Sequence, residues 1–458
     1  MIPPRWQPVL DESAPIAERF TDAGKRIYLV GGIVRDLLLG RESRDPDFDF
    51  TTDARPAETK AILDGFADAV WDQGERFGTI GAKVGGRTVE ITTHRAEAYR
   101  PDSRKPDVEF SGEIEADLSR RDFTVNAMAL SLPDPVLVDP FGGAEDLAAG
   151  RLRTPTGPES SFSDDPLRMM RAARFVAGYG LTPEDGLVEA VVSMADRLEI
   201  VAAERIRDEL DKLLVVDDPS AGLWFLVDTG LAEGFLPELS KMRLEQDPIH
   251  RHKDVLAHSI AVTANTRPER IVRLAALLHD IGKPRTRSIG EHGVSFHHHE
   301  VVGARMARKR MTALRYSNDD IESVVRLVEL HLRFHTYKMG WTDSAVRRFV
   351  RDAGPELDRL IELTRCDCTT RNARKARALS LRMDELEARI TELREQEELA
   401  SIRPDLDGRQ VMDHLGLDPG PDVGRAMNHL LELRLEHGPM SEAEAKAHLD
   451  EWWAAQQN

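Results

Sequence analysis

The sequence predicts an α+β protein, a mixed sheet with helices up to about residue 150 and helices almost throughout after it. Three observations carry that prediction. The apolar run Ile27 to Val30 ends in Gly31-Gly32, and a helical pattern starts at Ile33, with Val34, Leu37 and Leu38 on one side. The runs Thr79 to Val84 and Arg87 to Thr92 flank Gly85-Gly86, as the arms of a hairpin do. Beyond about residue 150 strand signals stop, and Leu-, Ala- and Arg-rich amphipathic periods take over.

At 458 residues the chain exceeds one compact core and predicts about three or four domains. Its two cysteines, Cys366 and Cys368, exclude a disulfide scaffold and fit a reducing cytosol, so a cytoplasmic location is expected. The N-terminus has no basic-then-apolar signal pattern, and no apolar run reaches membrane-spanning length. A net charge of −18 argues against non-specific nucleic-acid binding. A local basic stripe suffices for phosphate contacts. Arginine clusters lie at 100–105, 120–121, 168–174, 305–310 and 371–377, and only those beside other motif residues count as evidence.

Residues 1–26 read as a polar lead with one short amphipathic helix. The next stretch, 28–53, organises the rest. After a turn-rich segment comes Asp47-Phe48-Asp49-Phe50. In a strand alternate side chains share a face, so Asp47 and Asp49 point one way and the two phenylalanines point into a core. Two carboxylates roughly 7 Å apart can bridge two divalent ions about 4 Å apart. Gly31-Gly32 lets backbone amides approach a phosphate at the positive end of a helix that carries Arg35 in its first turn. This order resembles the signature of the polymerase-β-like nucleotidyltransferases, and more narrowly the CCA-adding tRNA nucleotidyltransferases and bacterial poly(A) polymerases. Glu90, in the second hairpin strand, is a candidate third acid. Thr93-His94-Arg95 stands where that family has Thr-Phe-Arg, so His94 is a departure.

Residues 117–130, DLSRRDFTVNAMAL, resemble the family's RRDFTxNA motif. Arg120 and Arg121 offer cationic donors for a triphosphate, and Asp122 beside them is expected to hold a guanidinium in place. Asp139 to Gly143 reads as a turn that closes the head. In DDPLRMMRAARF, residues 164–175, Asp165, Arg168, Arg171 and Arg174 recur every three residues along one helix. The drift is about 60° per step, so Arg174 ends well away from Asp165. The segment resembles the family's EDxxR motif, with Asp164 where Glu is usual. There the Asp and Arg read the incoming base. A carboxylate accepts from the exocyclic amino group that C and A share, and an arginine donates to ring acceptors that G and U arrange differently. Glu204-Arg205-Ile206-Arg207 reads as a buttress of that base site.

His258, His279-Asp280 and Asp367 fall in the order of the HD metal-dependent phosphohydrolases, and LLHDIGKP supplies the matching context. Imidazole and carboxylate together suit a borderline divalent transition metal. His299 and His331 occupy places where two-metal members carry further ligands. Cys366 and Cys368 flank Asp367 but face different ways on a helix. The tail, 405–458, resembles the family's small helical end, with Gly416, Gly420 and Gly424 ending or joining helices.

The resemblance implies a polymerase-β-like nucleotidyltransferase head at 1–150 and an all-α remainder: a helical neck at 151–240, an HD-type body at 241–370 and a tail at 371–458 that contacts tRNA. It implies C, C and A addition from CTP and ATP to the tRNA 3′ end, with pyrophosphate released. Mg²⁺ at Asp47 and Asp49 would serve the 3′-hydroxyl and the triphosphate, Gly31, Gly32, Arg35, Arg120 and Arg121 the phosphates, and Asp165 and Arg168 the base. Rival readings are a poly(A) polymerase, an enzyme adding only CC or only A, and an HD phosphohydrolase with a nucleotide-binding head. DQGERFGTIGAKV lacks the basic pattern of the poly(A) polymerases.

Overall fold

The structure is a computed structural model that describes residues 2–41, 47–72, 74–100, 103–244, 254–290, 293–336, 341–368, 373–397 and 402–456. Most of the turn-rich segment before Asp47, and Arg371 of the last arginine cluster, lie outside these residues. The chain divides into two compact units, Met1–Pro237 and Glu238–Asn458.

The first unit is built on a mixed sheet. Its strands are β1 (Ile27–Val30), β2 (Phe48–Thr52), β3 (Ala69–Trp71), β4 (Thr79–Val84) and β5 (Arg87–Thr93). A separate hairpin follows, β6 (Arg95–Arg100) with β7 (Ser103–Phe110), and then β8 (Ala129–Leu132) and β9 (Leu137–Val138) return to the sheet. The order across it is β3-β4-β5-β2-β1-β8-β9, with β2 and β5 parallel and the other neighbours antiparallel. All four residues of β1 are buried, as a strand covered on both faces requires. Phe48 and Phe50 are buried with rings 6.1 Å apart, which puts Asp49, half-buried, on the opposite face of β2. The strand begins at Phe48, so Asp47 lies just before it rather than within it.

The expected short N-terminal helix is a 16-residue helix, Gln7–Asp22. The helix after β1 is Gly32–Leu39, with Gly31 as its N-cap residue at φ 74. Asp139 accepts from the amides of Gly143 and Ala144 at 2.7 and 2.9 Å, which stabilises the start of the helix Gly143–Ala149. Strand structure does not end at 150 as the periodicity suggested. Arg151–Leu152 pairs in parallel with Thr182–Pro183, too short a ladder to show in a pattern. Helices then dominate, chiefly Pro158–Asp164, Leu167–Tyr179, Asp185–Met194, Ala203–Leu214 and Ser220–Asp228.

The second unit is almost wholly helical. Every residue of Ile271–Leu278, most of the helix Arg270–Leu278, is buried, so this helix forms the unit's centre. A short hairpin, Ser288–Gly290 with Gly293–Ser295, is a further strand pair that the sequence reading omitted. The long helix Ala373–Gln396 precedes a small cluster of buried apolar residues that includes Leu406, Val411, Leu430 and Leu449. Gly416 and Gly420 flank helix ends as expected, but Gly424 lies inside the helix Pro421–His437. Among the described residues no helix is long and apolar enough to cross a membrane.

Candidate active site

Parallel pairing of β2 with β5 sets Asp49 directly beside Glu90. With Asp47 they line an open cleft of about 730 Å³, together with Arg87 and the Gly85-Gly86 turn. Burial pushes the Asp49 carboxyl up to about 6; Glu90 and Asp47 add to the rise and Arg121 opposes it. Such a carboxylate is poised to exchange its proton for a cation. The acids are not drawn tightly together. The groups of three whose ligand atoms lie within 4.8 Å of one another, among the described residues, all belong to the second unit.

Beside the acids, the turn at Gly31 meets Arg121. A Cβ on Gly31 would lie 2.9 Å from Arg121 Nη1, so only glycine permits this approach at positive φ. Arg121 and Arg120 are held by Asp117, which is fully buried: Arg120 Nη2 lies 2.6 Å from Oδ1, and Arg121 Nη2 lies 3.3 Å from Oδ2. Burial would raise the Asp117 carboxyl, but the two guanidiniums outweigh it and hold it low. Asp122 does not hold either of these arginines, contrary to expectation. Its side chain turns the other way, to Arg171 Nη2 at 2.6 Å and Asn126 Nδ2 at 3.0 Å. It is buried, yet these partners keep it ionised well below the usual carboxylate range.

Arg35 is also more enclosed than a plain phosphate ligand. It donates to Asn126 Oδ1 at 2.6 Å, pairs with Asp36 and stacks on Tyr179 with its guanidinium carbon 4.1 Å from the ring centre. Its Nη2 still lies 3.4 Å from where a Gly32 Cβ would be, so it supports the turn from behind.

Asp165 and Arg168 are neighbours in sequence position but have separate partners. Arg205 forks onto Asp165, with Nη2 2.7 Å from Oδ2 and Nη1 3.4 Å from Oδ1. Arg168 is buried, donating to Ser161 Oγ at 2.8 Å and to the backbone carbonyl of Arg120. Arg174 pairs with buried Glu209 at 2.8 Å and is thereby turned away from Asp165. His94 is buried against Tyr28, and burial lowers its pKa, so the ring is neutral.

The second unit carries a closed cluster. The helices Val255–Asn265, Arg270–Leu278, His299–Ala313, Asn318–Leu330 and Leu357–Asp367 deliver its members at or near their ends. Asp280 is central: Oδ2 lies 3.3 Å from His279 Nε2 and 3.7 Å from His258 Nε2, and Oδ1 lies 3.3 Å from His299 Nε2 and 4.0 Å from His331 Nε2. His299 Nδ1 and His331 Nδ1 donate to the carbonyls of Phe296 and Val328 at 2.8 and 2.6 Å. That fixes both Nε2 atoms as lone-pair sites, and they face each other 3.3 Å apart. Burial and the neighbouring His279 push the His331 ring down to about 3, so it stays neutral. Burial opposes a charge on His279, but Asp280 and Asp367 pull it up to about 10. Lone pairs facing lone pairs beside two acids suit bound cations. Cys366 and Cys368 bond to different carbonyls, those of Asn265 and Thr364, and stay outside the cluster.

Comparison with known proteins fits these two centres. Residues 27–153 match the poly A polymerase head domain, 180–242 the probable RNA and SrmB-binding site of polymerase A, and 255–393 the HD domain. The A-adding tRNA nucleotidyltransferase of Deinococcus radiodurans is 34% identical over 442 residues, 93% of this chain and 95% of that protein. The chain belongs to the tRNA nucleotidyltransferase and poly(A) polymerase family. It is a nucleotidyltransferase with an HD domain. The CCA-adding enzyme of Lactobacillus helveticus is 39% identical over 226 residues, so the match spans about half of that relative, 55% of its length. The fold is that of the Bacillus stearothermophilus CCA-adding enzyme solved with CTP, with TM-score 0.72 over 99% of both chains at 24% identity.

Within this nucleotidyltransferase, three residues with clear structural work at the site were not assigned from sequence. Asp117 stands three and four positions before Arg120 and Arg121, a helical spacing that could have been read. Asn126 lies in the quoted motif. Glu209 lies 35 positions from its partner Arg174, and no local pattern announces a contact at that range. Arg205, read from sequence as part of the buttress of the base site, pairs with Asp165 at 2.7 Å.

Proposed function

We propose that the chain adds C, C and A to the 3′ end of tRNA from CTP and ATP, releasing pyrophosphate. The observation that carries this reading is Asp49 in register with Glu90, beside the contact of Gly31 with Arg121. Asp47, Asp49 and Glu90 are the residues that would hold Mg²⁺, and their carboxylates in one cleft fit a hard cation. Magnesium there would acidify the 3′-hydroxyl of the RNA and offset the charge of the triphosphate. Gly31 and Gly32 present backbone amides to the triphosphate at a helix N-terminus. Arg121 and Arg120, fixed by Asp117, receive the leaving pyrophosphate with no loss of side-chain freedom at that step. Asp165, braced by Arg205, accepts from the exocyclic amino group of cytosine or adenine, and Arg168 donates to the ring.

A second reading is addition of A alone. The Deinococcus relative, which matches nearly end to end, bears that activity in its name. One assay separates them. Purified protein with Mg²⁺ is given tRNA ending at the discriminator base, in C or in CC, with labelled CTP or ATP. Stepwise C, C, A on the shortest substrate supports the main reading. Transfer of A to tRNA ending in CC, with none from CTP, selects the second. Long A-tails on any RNA, or no transfer, overturns both.

The HD domain is read as a centre for one or two divalent transition metals on His258, His279, Asp280, Asp367, His299 and His331. The opposed lone pairs of His299 and His331 support it. Those ions would activate water for phosphoester hydrolysis.

A further inference from the structure

The sheet order places one more residue in line with the carboxylates. Across four strands, Asp49 pairs with Glu90, Glu90 with Gly81, and Gly81 with Trp71. Directly paired residues project from the same face. Trp71 therefore stands on the face that carries Asp49 and Glu90. Gly81 between them leaves a gap, and the Trp71 indole leans into it: a Cβ on Gly81 would collide with the ring. The result is a pocket of about 380 Å³ with Trp71 and Phe77 as aromatic walls, Thr79 and Arg95 as polar ones, and Glu90 at its border with the acid cleft. Trp71 remains 38% exposed on the edge strand β3, so its indole is accessible from solvent.

The direction of the row decides what it holds. Entering and leaving oxygens stand on opposite sides of the phosphorus in an in-line displacement. The proposed pyrophosphate cradle is at Gly31, which directly follows β1 and meets Arg121, and β1 lies on one side of β2 and Asp49. β5, β4 and β3 follow one another on the other side. An attacking oxygen opposite that cradle would approach from there. A nucleotide whose 3′-hydroxyl meets Asp49 and Glu90 extends toward Gly81, one strand spacing of about 4.8 Å beyond Glu90. We propose that Trp71, leaning over Gly81, is the stacking platform for the base of the RNA's 3′-terminal nucleotide, and that the pocket beside Glu90 is the subsite of the growing end. This rests on the nucleotidyltransfer reading above. Stacking on an indole accepts either pyrimidine or purine, which suits an end whose last base changes during addition.

The test uses the full chain and tRNA carrying 2-aminopurine at its 3′ terminus, whose fluorescence falls on stacking. Wild type and Trp71→Phe are expected to quench it on binding, and Trp71→Ala to leave it bright. In steady state Trp71→Ala raises KM for tRNA roughly tenfold and leaves KM for ATP within about twofold, and Trp71→Phe restores most of the loss. Equal quenching by Trp71→Ala, or equal rises in both KM values, overturns the proposal. Failure of wild type to extend tRNA overturns the underlying reading. Transfer by wild type with an indistinguishable Trp71→Ala overturns the platform alone.

Discussion

Asp49 and Glu90 stand on neighbouring strands at an open cleft, whereas His279, Asp280, His299 and His331 are closed off among helices. Both regions suit divalent cations, and they differ in how far the protein has assembled the site beforehand. In the sheet, register places the acids but leaves them apart, with one carboxyl pushed toward neutrality. In the HD domain, backbone carbonyls lock the imidazoles, and each Asp280 oxygen faces a pair of histidines. A site that must admit a triphosphate and an RNA end has to stay open, and its ligands can converge only as the charged substrate arrives. A site whose ligands come from the ends of packed helices carries its geometry in the core.

The largest expected effect is at the open site. Asp47→Ala lowers nucleotide transfer by at least about a thousandfold. The metal content of the HD cluster, read by mass spectrometry after purification, stays as in wild type. His279→Ala is the mirror experiment. It empties the HD cluster of transition metal and leaves transfer to tRNA within about twofold. Loss of transfer in a folded His279→Ala protein would mean that the two centres are coupled.

The same contrast governs what could be read from the sequence. The open site rests on local order: a strand, a double glycine, a helix, then alternating acids. Each of these is a pattern of neighbours, so β1, the helix Gly32–Leu39, the Phe48–Phe50 core face and the hairpin around Gly85-Gly86 were all legible. The sequence misplaced Asp122 because adjacency to Arg120 and Arg121 suggested a contact, while the chain turns there and sends the carboxylate to Arg171. It missed Glu209 because its partner Arg174 lies 35 positions away, and it missed the register of Trp71 with Gly81 because β3 is three residues long and exposed throughout, too short to show an alternating pattern. The HD ligands were legible as a series in order, but the backbone carbonyls that fix their tautomers carry no side-chain signature.

A smaller effect is expected where the base is chosen. Arg205 is the partner that orients Asp165. Arg205→Ala leaves the phosphate cradle intact, so KM for ATP and CTP rises modestly while discrimination against GTP and UTP falls about tenfold. Competition between labelled ATP and unlabelled GTP in one reaction measures this directly. An equal loss for all four nucleotides would move Arg205 from base selection to general folding.

The smallest effect concerns stability, and it has a defined sign. The Asp49 carboxyl is raised from 3.8 to about 6 on folding, so the folded protein disfavours its charge. For an acid shifted upward, the penalty is fully present above about 6, and it fades as pH falls from there toward 3.8. In metal-free protein at about pH 7.5, Asp49→Asn is therefore expected to raise Tm by a few degrees while abolishing transfer. Near pH 4 the two proteins converge. Excess Mg²⁺ narrows the gap at neutral pH from the other side, because it binds only the folded wild type. A Tm for Asp49→Asn below wild type at neutral pH would mean that Arg121 outweighs burial. The open cleft would then hold its acid by an ion pair, as the closed cluster does, and the distinction between a site completed by substrate and a site completed by folding would be lost.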